Sequence, residues 1–284
     1  MDRDFKIVLT WPAGKEEAKI FTDVLKGLAS IEYPRNREEL PIVIRDADVA
    51  VGSVSDDAIK SAAKLRFIQA TSAGVDYFNF NLLKSRGIIL ASAKGCNAIA
   101  VAEHALALML ALAKKVPQMD SRLKRGEWTP WSEETFLMDL EGKVVGILGY
   151  GNIGRELARM CRCLGIRVMG IRRKPTPPDE YAEYIGGLGD ILKVAAQADF
   201  LVIALPLTPE TRGLIDERIL KAMKPSAYLI NVGRGAVVKE EALYKALREG
   251  WIAGAGIDVW WEYPPSSSAP SRLGIHKLEN VVAT

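Results

Sequence analysis

Short apolar runs alternate with amphipathic helical patterns over the first ninety or so residues. The strand-like runs are Lys6–Leu9, Val49–Gly52, Phe67–Ala70 and Ile88–Ala91, and the helical patterns are Lys15–Leu28 and Asp56–Lys64. This alternation predicts βαβ units and a parallel sheet.

A second series begins at Gly142. Its predicted strands are Val144–Leu148, Arg167–Ile171, Phe200–Ala204, Ala227–Asn231 and Gly254–Val259, and its helices are Ile153–Leu164, Asp190–Ala196, Asp216–Lys221 and Glu240–Glu249. Between the two series, Ala98–Lys114 is helical and apolar on nearly every side, which predicts an interior helix between domains. The polar segment Arg122–Glu141 follows it as a hinge or arm. We therefore expect an α/β protein with two domains, residues 1–97 and 98–284.

Composition narrows the class of protein. The 284 residues are 49% hydrophobic and 26% charged, as in soluble globular proteins, and a dispersed net charge of +3 argues against nucleic-acid binding. The three cysteines, Cys96, Cys161 and Cys163, suggest neither disulfides nor a metal site, so a cytoplasmic location is expected. The start of the chain lacks a signal-peptide core, and no charge-free run of about 18 apolar residues predicts a membrane span.

The strongest motif is Gly149-Tyr-Gly151-Asn152-Ile153-Gly154, which lies between a predicted strand and a predicted helix. In a dinucleotide-binding turn the first glycine permits the tight turn, the second admits the pyrophosphate and the third lets helix pack on strand. The unpaired N–H groups of the helix N-terminus favour an anion there. The alternative is a glycine-rich structural turn.

Three cations directly follow the next predicted strand, at the position where an NAD-binding protein has an acid. They are Arg172, Arg173 and Lys174. A guanidinium binds a 2′-phosphate in a fork, whereas a carboxylate repels it. NADP is therefore the predicted cofactor and NAD the alternative, unless these side chains form only a solvated basic turn.

Three later strands end in further candidate binding residues. These are Leu205, Pro206 and Thr208 after the first, Val232, Gly233 and Arg234 after the second, and Asp258 after the third. Ligands of open α/β sheets bind outside the carboxyl ends of strands. Arg234, between two glycines, suits a 2-oxo or 2-hydroxy carboxylate, or else pairs with a structural acid. Asp258 either accepts a hydrogen bond from a nicotinamide amide or caps a turn.

In the first half, Ser72, Ala73 and Gly74 follow a strand. Small residues expose backbone N–H groups that bind carboxylates, so this turn is a candidate substrate site. Asp76 is the alternative cap of the next turn.

Six motifs in one order span nearly the whole chain. They are SAGVD at Ser72–Asp76, VAEHALALMLAL at Val101–Leu112, LEGKVVGILGYGNIGRELA at Leu140–Ala158, LPLTPETRGLI at Leu205–Ile215, LINVGRGAVV at Leu229–Val238 and GAGIDVW at Gly254–Trp260. Together they resemble the D-isomer-specific 2-hydroxyacid dehydrogenases. The resemblance implies two Rossmann-like domains with doubly wound parallel sheets, the first flavodoxin-like and substrate-binding, an active site in the cleft between them, and a homodimer.

The resemblance also implies roles for single residues. The turn at Gly74 binds the substrate carboxylate, Arg234 holds the carboxylate and carbonyl, and Asp258 meets the nicotinamide. The family transfers a hydride from the nicotinamide to C2 of a 2-oxo acid. A histidine, whose pKa is raised by a glutamate, protonates the developing alkoxide.

The sequence departs from the family pattern in two places. Tyr263 stands where the family has its glutamate, and the acid is one place earlier, at Glu262, so Glu262, Tyr263 or neither takes the role. The histidine is expected just after Thr284, together with the helix that returns to the first domain. Neither His104 nor His276 stands at that position.

Three hypotheses on function follow. The first is a glyoxylate or hydroxypyruvate reductase that uses NADPH, and the second is a catalytically impaired dinucleotide sensor or interaction protein on the same scaffold. The third is a formate-dehydrogenase-like enzyme, suggested by Trp260 and Tyr263. Trp128 and Trp131, in a polar arm, favour an interface. The resemblance to glyoxylate and hydroxypyruvate reductases implies that Trp131 reaches the partner's substrate site, although both rings packing on their own subunit is the alternative.

Overall fold

A computed structural model of the chain divides into two compact units, Met1–Cys96 and Asn97–Thr284. It describes residues 5–128, 130, 136–263 and 269–284. Each unit contains a parallel sheet with flanking helices, so the predicted α/β class is confirmed. No helix in these described ranges is both long and apolar enough to cross a membrane.

The first unit is built on a five-stranded parallel sheet in the order β2-β1-β3-β4-β5. Its strands are β1 (Phe5–Leu9), β2 (Ala29–Glu32), β3 (Val49–Val51), β4 (Phe67–Gln69) and β5 (Ile89–Ala91), and its helices are α1 (Lys15–Leu25), α2 (Leu40–Val43), α3 (Asp56–Ser61) and α4 (Phe80–Ser85). The core forms where apolar residues of the strands meet those of α2 and α3, around Val8, Ile44 and Ile68. Helix α1 ends earlier than the pattern predicted, because Lys26 adopts a left-handed conformation with φ of 47°.

The second unit contains a seven-stranded parallel sheet in the order β12-β11-β10-β9-β6-β7-β8. Its strands are β6 (Val144–Leu148), β7 (Arg167–Ile171), β8 (Tyr184–Gly186), β9 (Phe200–Ile203), β10 (Tyr228–Asn231), β11 (Gly254–Ile257) and β12 (Val281–Ala283). Its helices are α5 (Ala98–Ala113), α6 (Val116–Lys124), α7 (Asn152–Cys163), α8 (Ile191–Gln197), α9 (Glu217–Ala222) and α10 (Glu240–Arg248). The chain adds β7 and β8 on one side of β6 and then returns to its other side with β9. Ligands of doubly wound sheets bind at such a reversal.

Helix α5 packs against α7 and the β10–β11 side of this sheet. Ala105, Leu108 and Met109 are buried there. Gly256 of β11 brings helix and strand together, since a Cβ at that position would lie 3.0 Å from the Cβ of Leu108. Ile99, on another face of the helix, is 56% exposed, so α5 is not interior on every side as its sequence predicted.

The segment predicted as a hinge or arm is partly helical. Helix α6 continues through Arg122 to Lys124, so the helix extends past the point where the sequence turns polar. Trp128, beyond the helix, is 82% exposed. Trp131 lies outside the described residues.

Candidate functional site

The glycine motif forms the turn between β6 and α7. Gly149 has φ of +107°, and a Cβ there would lie 2.5 Å from the carbonyl oxygen of Ala204, so both backbone angle and space demand glycine. The N–H groups of Gly149 and Tyr150 donate to the Ile171 carbonyl of β7 at 2.9 and 2.8 Å. The turn is therefore held against the ends of two neighbouring strands.

The other two glycines of the motif differ in their surroundings. A Cβ on Gly151 would meet no atom within 4 Å, whereas one on Gly154 would collide with the carbonyl oxygen of Gly149. Helix α7 starts at Asn152, with no side-chain cap and no acidic residue in its first turn. Its first N–H groups, including that of Ile153, are thus available to an anion beside open space. These features fit a pyrophosphate.

Two further turns lie at the same carboxyl edge of the sheet. After β9, Leu205 is buried and the hydroxyl of Thr211 donates to the Pro206 carbonyl at 2.7 Å, while the Thr208 N–H donates to that hydroxyl at 2.8 Å. After β10, Val232 is buried, and a Cβ on Gly233 would lie 2.7 Å from the Leu205 oxygen. The structure thus brings the turns after β6, β9 and β10 into contact.

Arg234 is half-buried just beyond the β10 turn. The side chain of Asn231, 1% exposed, accepts a hydrogen bond from the Gly233 N–H and donates to the Arg234 carbonyl, both at 3.1 Å. The Arg234 guanidinium donates to the Gly233 carbonyl at 2.9 Å. Gly235 packs against the backbone of Trp260, leaving no room for a side chain. Two crowded glycines and a buried amide therefore hold the backbone of this arginine.

Asp258 follows β11, and its N–H donates to the Asn231 carbonyl at 3.0 Å. Its carboxylate accepts a hydrogen bond from the Thr284 hydroxyl at 3.2 Å and lies 3.3 Å from Nε2 of His104 on α5. Sequence reasoning set His104 aside because it does not stand in the family's catalytic position. The contact was not predicted, since a distance between α5 and β11 has no signal in local sequence.

The three cations of the predicted phosphate site are exposed and begin a loop after β7. The Arg172 N–H donates to the Gly186 carbonyl of β8 at 3.0 Å, so the loop starts at a fixed point beside the glycine turn. Arg173 and Lys174 extend the run. Three exposed cations are therefore concentrated at this end of the edge.

The region that follows β11 bears on the shifted acid. The Glu262 carboxylate forms an ion pair with Arg272, and the Tyr263 hydroxyl accepts a hydrogen bond from the Trp260 N–H at 2.8 Å. The Trp261 indole donates to the Val238 carbonyl at 2.8 Å, which anchors the segment. The polar ends of residues 262 and 263 therefore point to different partners.

The candidate carboxylate turn of the first unit closes on itself. The Ser72 hydroxyl donates to the Gly74 carbonyl at 2.7 Å and lies 3.0 Å from the Tyr77 hydroxyl. Ala73 is half-exposed within the turn. The hydroxyl of Ser72 is thus used to shape the backbone of this turn.

Over the described ranges, no group of three or more His, Cys, Asp or Glu side chains is arranged to hold a metal ion. Residues 106–284 match the family profile described as D-isomer specific 2-hydroxyacid dehydrogenase, NAD binding domain. The chain belongs to the D-isomer-specific 2-hydroxyacid dehydrogenase family. The resemblance indicated by its six motifs is confirmed.

Proteins similar to this chain include enzymes with different names. The chain is 38% identical over 251 residues to a glyoxylate reductase of Thermococcus litoralis. This match covers 84% of this chain and 73% of that protein. It is 36% identical over 286 residues to a D-3-phosphoglycerate dehydrogenase of Methanocaldococcus jannaschii, covering 98% of this chain and 52% of that protein. The chain thus spans about half the length of that relative.

A solved structure has a closely similar fold. An acyclic imino acid reductase in complex with NADPH and D-Arg is 25% identical and superposes with a TM-score of 0.83, covering 99% of this chain and 89% of that chain. Chains of similar fold therefore differ in name and in bound ligand.

Proposed function

We propose that this protein is an NADPH-dependent reductase of small 2-oxo acids. The observation that carries the proposal is the open anion site at Gly151, at the same sheet edge as Arg234. When bound, NADPH supplies the hydride that reaches C2 of the 2-oxo acid. The first unit is proposed as the substrate domain and the second as the cofactor domain.

The cofactor would extend along the carboxyl edge of the seven-stranded sheet. The N–H groups of Asn152 and Ile153 would bind the pyrophosphate beside Gly151, and the exposed cations at the end of β7 would bind the 2′-phosphate. The buried turns after β9 and β10 would flank the rest of the dinucleotide. Asp258, accessible at 36%, would accept a hydrogen bond from the nicotinamide amide.

The substrate would be held by its carboxylate. The planar fork of Arg234 matches a carboxylate and an adjacent carbonyl, and the fixed backbone around it limits movement of the stem. The turn at Ser72, Ala73 and Gly74 would add backbone N–H donors. Glu262 is proposed as the acid that supports proton transfer, with Tyr263 as its alternative. The name of the Thermococcus litoralis relative favours glyoxylate as substrate.

We also propose a homodimer formed through the second unit. Large apolar side chains are exposed along α5, α6 and the segment that follows: Ile99, Leu110, Val116, Leu123, Trp128, Phe136 and Leu137. Exposed apolar side chains in one region are typical of interfaces. Sedimentation equilibrium of the full-length protein should give twice the chain mass, and Leu123→Glu should shift it towards the monomer. A monomer at every concentration would contradict this.

A dinucleotide-binding sensor is the second candidate function. It is favoured by the pairing of Glu262 with Arg272, which engages the carboxylate in an ion pair. A reducing compartment, proposed for either function, agrees with three free cysteines.

One set of assays separates these functions. NADPH and NADH are titrated against the full-length protein by intrinsic fluorescence. Turnover is measured with the reduced cofactor and glyoxylate or hydroxypyruvate, and with NADP+ or NAD+ and formate. We expect NADPH to bind at least about tenfold more tightly than NADH, as a charge-assisted contact predicts, and to reduce both 2-oxo acids. Tight binding without turnover would favour the sensor, and oxidation of formate would favour a formate dehydrogenase.

A further inference from the structure

The loop between β7 and β8 begins with a solvent-exposed, proline-rich segment. Residues 172–178 are all exposed, and the segment contains Pro175, Pro177 and Pro178. Proline has no backbone N–H, so three of the loop's potential donors are missing. Its first fixed point is the bond from the Arg172 N–H to Gly186. A second anchor lies at the other end of the exposed segment.

That second anchor is Asp179. One carboxylate oxygen accepts hydrogen bonds from the Tyr150 hydroxyl at 2.9 Å, the Tyr181 N–H at 2.9 Å and the Ala182 N–H at 3.0 Å. The other accepts from Nε of Arg155 at 3.3 Å. Burial alone would raise the pKa of Asp179, but these bonds hold it below its usual value. With four donors present, this acid is a structural anchor and not a spare acceptor for a ribose.

Tyr150 connects this anchor to the glycine turn, in which it is the second residue. Its side chain is 4% exposed and lies over β7, where a Cβ on Gly170 would come within 2.7 Å of the ring. Burial, and then the bond to Asp179, raise the pKa of Tyr150 well above its usual value, so the hydroxyl remains a donor. Ring and hydroxyl are thus both fixed by neighbours.

Arg155, in the first turns of α7, is committed to the same loop. Besides Asp179 it pairs with Glu180 at 2.9 Å, and its guanidinium lies 4.9 Å from the centre of the Tyr181 ring. This arrangement keeps a helix cation near the glycine motif engaged with residues 179–181. The cations at 172–174 are exposed, and the proposed function assigns the 2′-phosphate to them.

We propose that Tyr150 and Asp179 form a positioning pair that ties the 172–183 loop to the glycine turn and thereby sets selectivity for the 2′-phosphate. This inference rests on the proposed function in its choice of NADPH. The pair touches neither substrate nor reacting atoms, and its effect passes through Arg172, Arg173 and Lys174. It makes the second residue of the glycine motif a determinant of cofactor choice.

The test uses two probes that differ by one phosphate, 2′,5′-ADP and 5′-AMP, titrated against the full-length protein. Tyr150→Phe keeps the packed ring and removes the bond to Asp179. We expect it to weaken 2′,5′-ADP binding by up to about tenfold, the effect of losing one charge-assisted bond, and 5′-AMP binding by less than about twofold. The kcat at saturating NADPH should not change. Tyr181→Phe is the matched control. It removes a hydroxyl from the same loop but keeps the hydrogen bond from the Tyr181 N–H to Asp179.

A second readout keeps this inference separate from the proposed cofactor preference. Hydrogen exchange at the amides of Tyr181 and Ala182 should accelerate in Tyr150→Phe and more so in Asp179→Ala. If the unaltered protein binds both probes equally, NADPH preference fails, while faster exchange still supports the tie. Unchanged exchange, or equal weakening of both probes in Tyr150→Phe, would overturn the positioning pair.

Discussion

The guanidinium of Arg272 lies against the carboxylate of Glu262, with Nε 3.0 Å from Oε1. Glu262 is the more enclosed partner, 20% exposed against 78% for Arg272. The Glu262 N–H also donates to the Pro270 carbonyl at 3.3 Å. Glu262 could therefore stabilise this loop as well as support proton transfer. Substitution of Arg272 distinguishes the two roles.

Glu262→Gln should lower kcat/KM for glyoxylate by about 10–100-fold in the full-length protein, because a neutral amide supports proton transfer poorly. Arg272→Ala removes the exposed arginine of the ion pair and should lower kcat/KM by less than about threefold. Steady-state kinetics of the two variants, with Tyr263→Phe alongside, provide the measurement. Equal losses in Glu262→Gln and Arg272→Ala would assign Glu262 to the loop, and a loss confined to Tyr263→Phe would assign the role to the tyrosine.

Gly151→Ala and Gly154→Ala should have opposite consequences. A methyl group on Gly151 meets open space, so the melting temperature should hardly change while NADPH binding weakens by about tenfold or more, because the pyrophosphate is displaced from the N–H groups. A methyl group on Gly154 meets the rigid carbonyl of Gly149, and this overpacking should outweigh the gain in helix propensity and cost about 1–3 kcal/mol of stability. Thermal unfolding and cofactor titration of both variants test the pair. Unimpaired binding in a folded Gly151→Ala would count against a pyrophosphate at this turn.

Arg234→Lys should lower kcat/KM for 2-oxo acids by about 10–100-fold while NADPH affinity is maintained. The charge is kept, but an ammonium group lacks the planar fork that pairs two oxygens at once. The bond to the Gly233 carbonyl is also lost, so the melting temperature serves as the control for local damage. Near-normal kcat/KM in a stable variant would show that the substrate is anchored elsewhere.

Cys161 should be inert to thiol reagents at about pH 8, whereas Cys163 should react. Burial raises the pKa of the Cys161 thiol to about 12, and only the thiolate is nucleophilic. The double variant Cys96→Ser, Cys163→Ser isolates this thiol: it should not react with Ellman's reagent when native and should release one equivalent in guanidinium. Since the folded pKa lies above the unfolded value of about 8.5, this thiol should also lower stability as pH rises beyond that point. Rapid reaction of the native double variant would contradict the burial.

Long, strongly patterned elements of the second unit were predictable from the sequence. Strands β6 and β7 have the predicted bounds, because each is a run of five mostly apolar residues that ends at a turn or glycine. Strand β8 was missed, since three residues with one glycine carry little signal and its pairing with β7 is a tertiary fact. Helices α2 and α4 were also missed.

The candidate site was predictable wherever a motif dictates backbone. The tight parts of the glycine turn and the crowded glycines beside Arg234 follow from spacing, because no side chain fits at Gly149, Gly154, Gly233 or Gly235. The contacts of Asp179 with Tyr150, and of Asp258 with His104, join residues far apart along the chain. No local periodicity encodes such pairs, so the sequence alone could not predict them.

Helix α5 has a consequence for synthesis of the chain. It is made before β6, yet part of its buried face packs against β10 and β11, which the ribosome produces much later. Until then a strongly apolar helix has only part of its packing surface available, the situation in which nascent chains aggregate or recruit chaperones. The order of elements along the gene, rather than the stability of the folded protein, would therefore determine when the chain is most prone to aggregate.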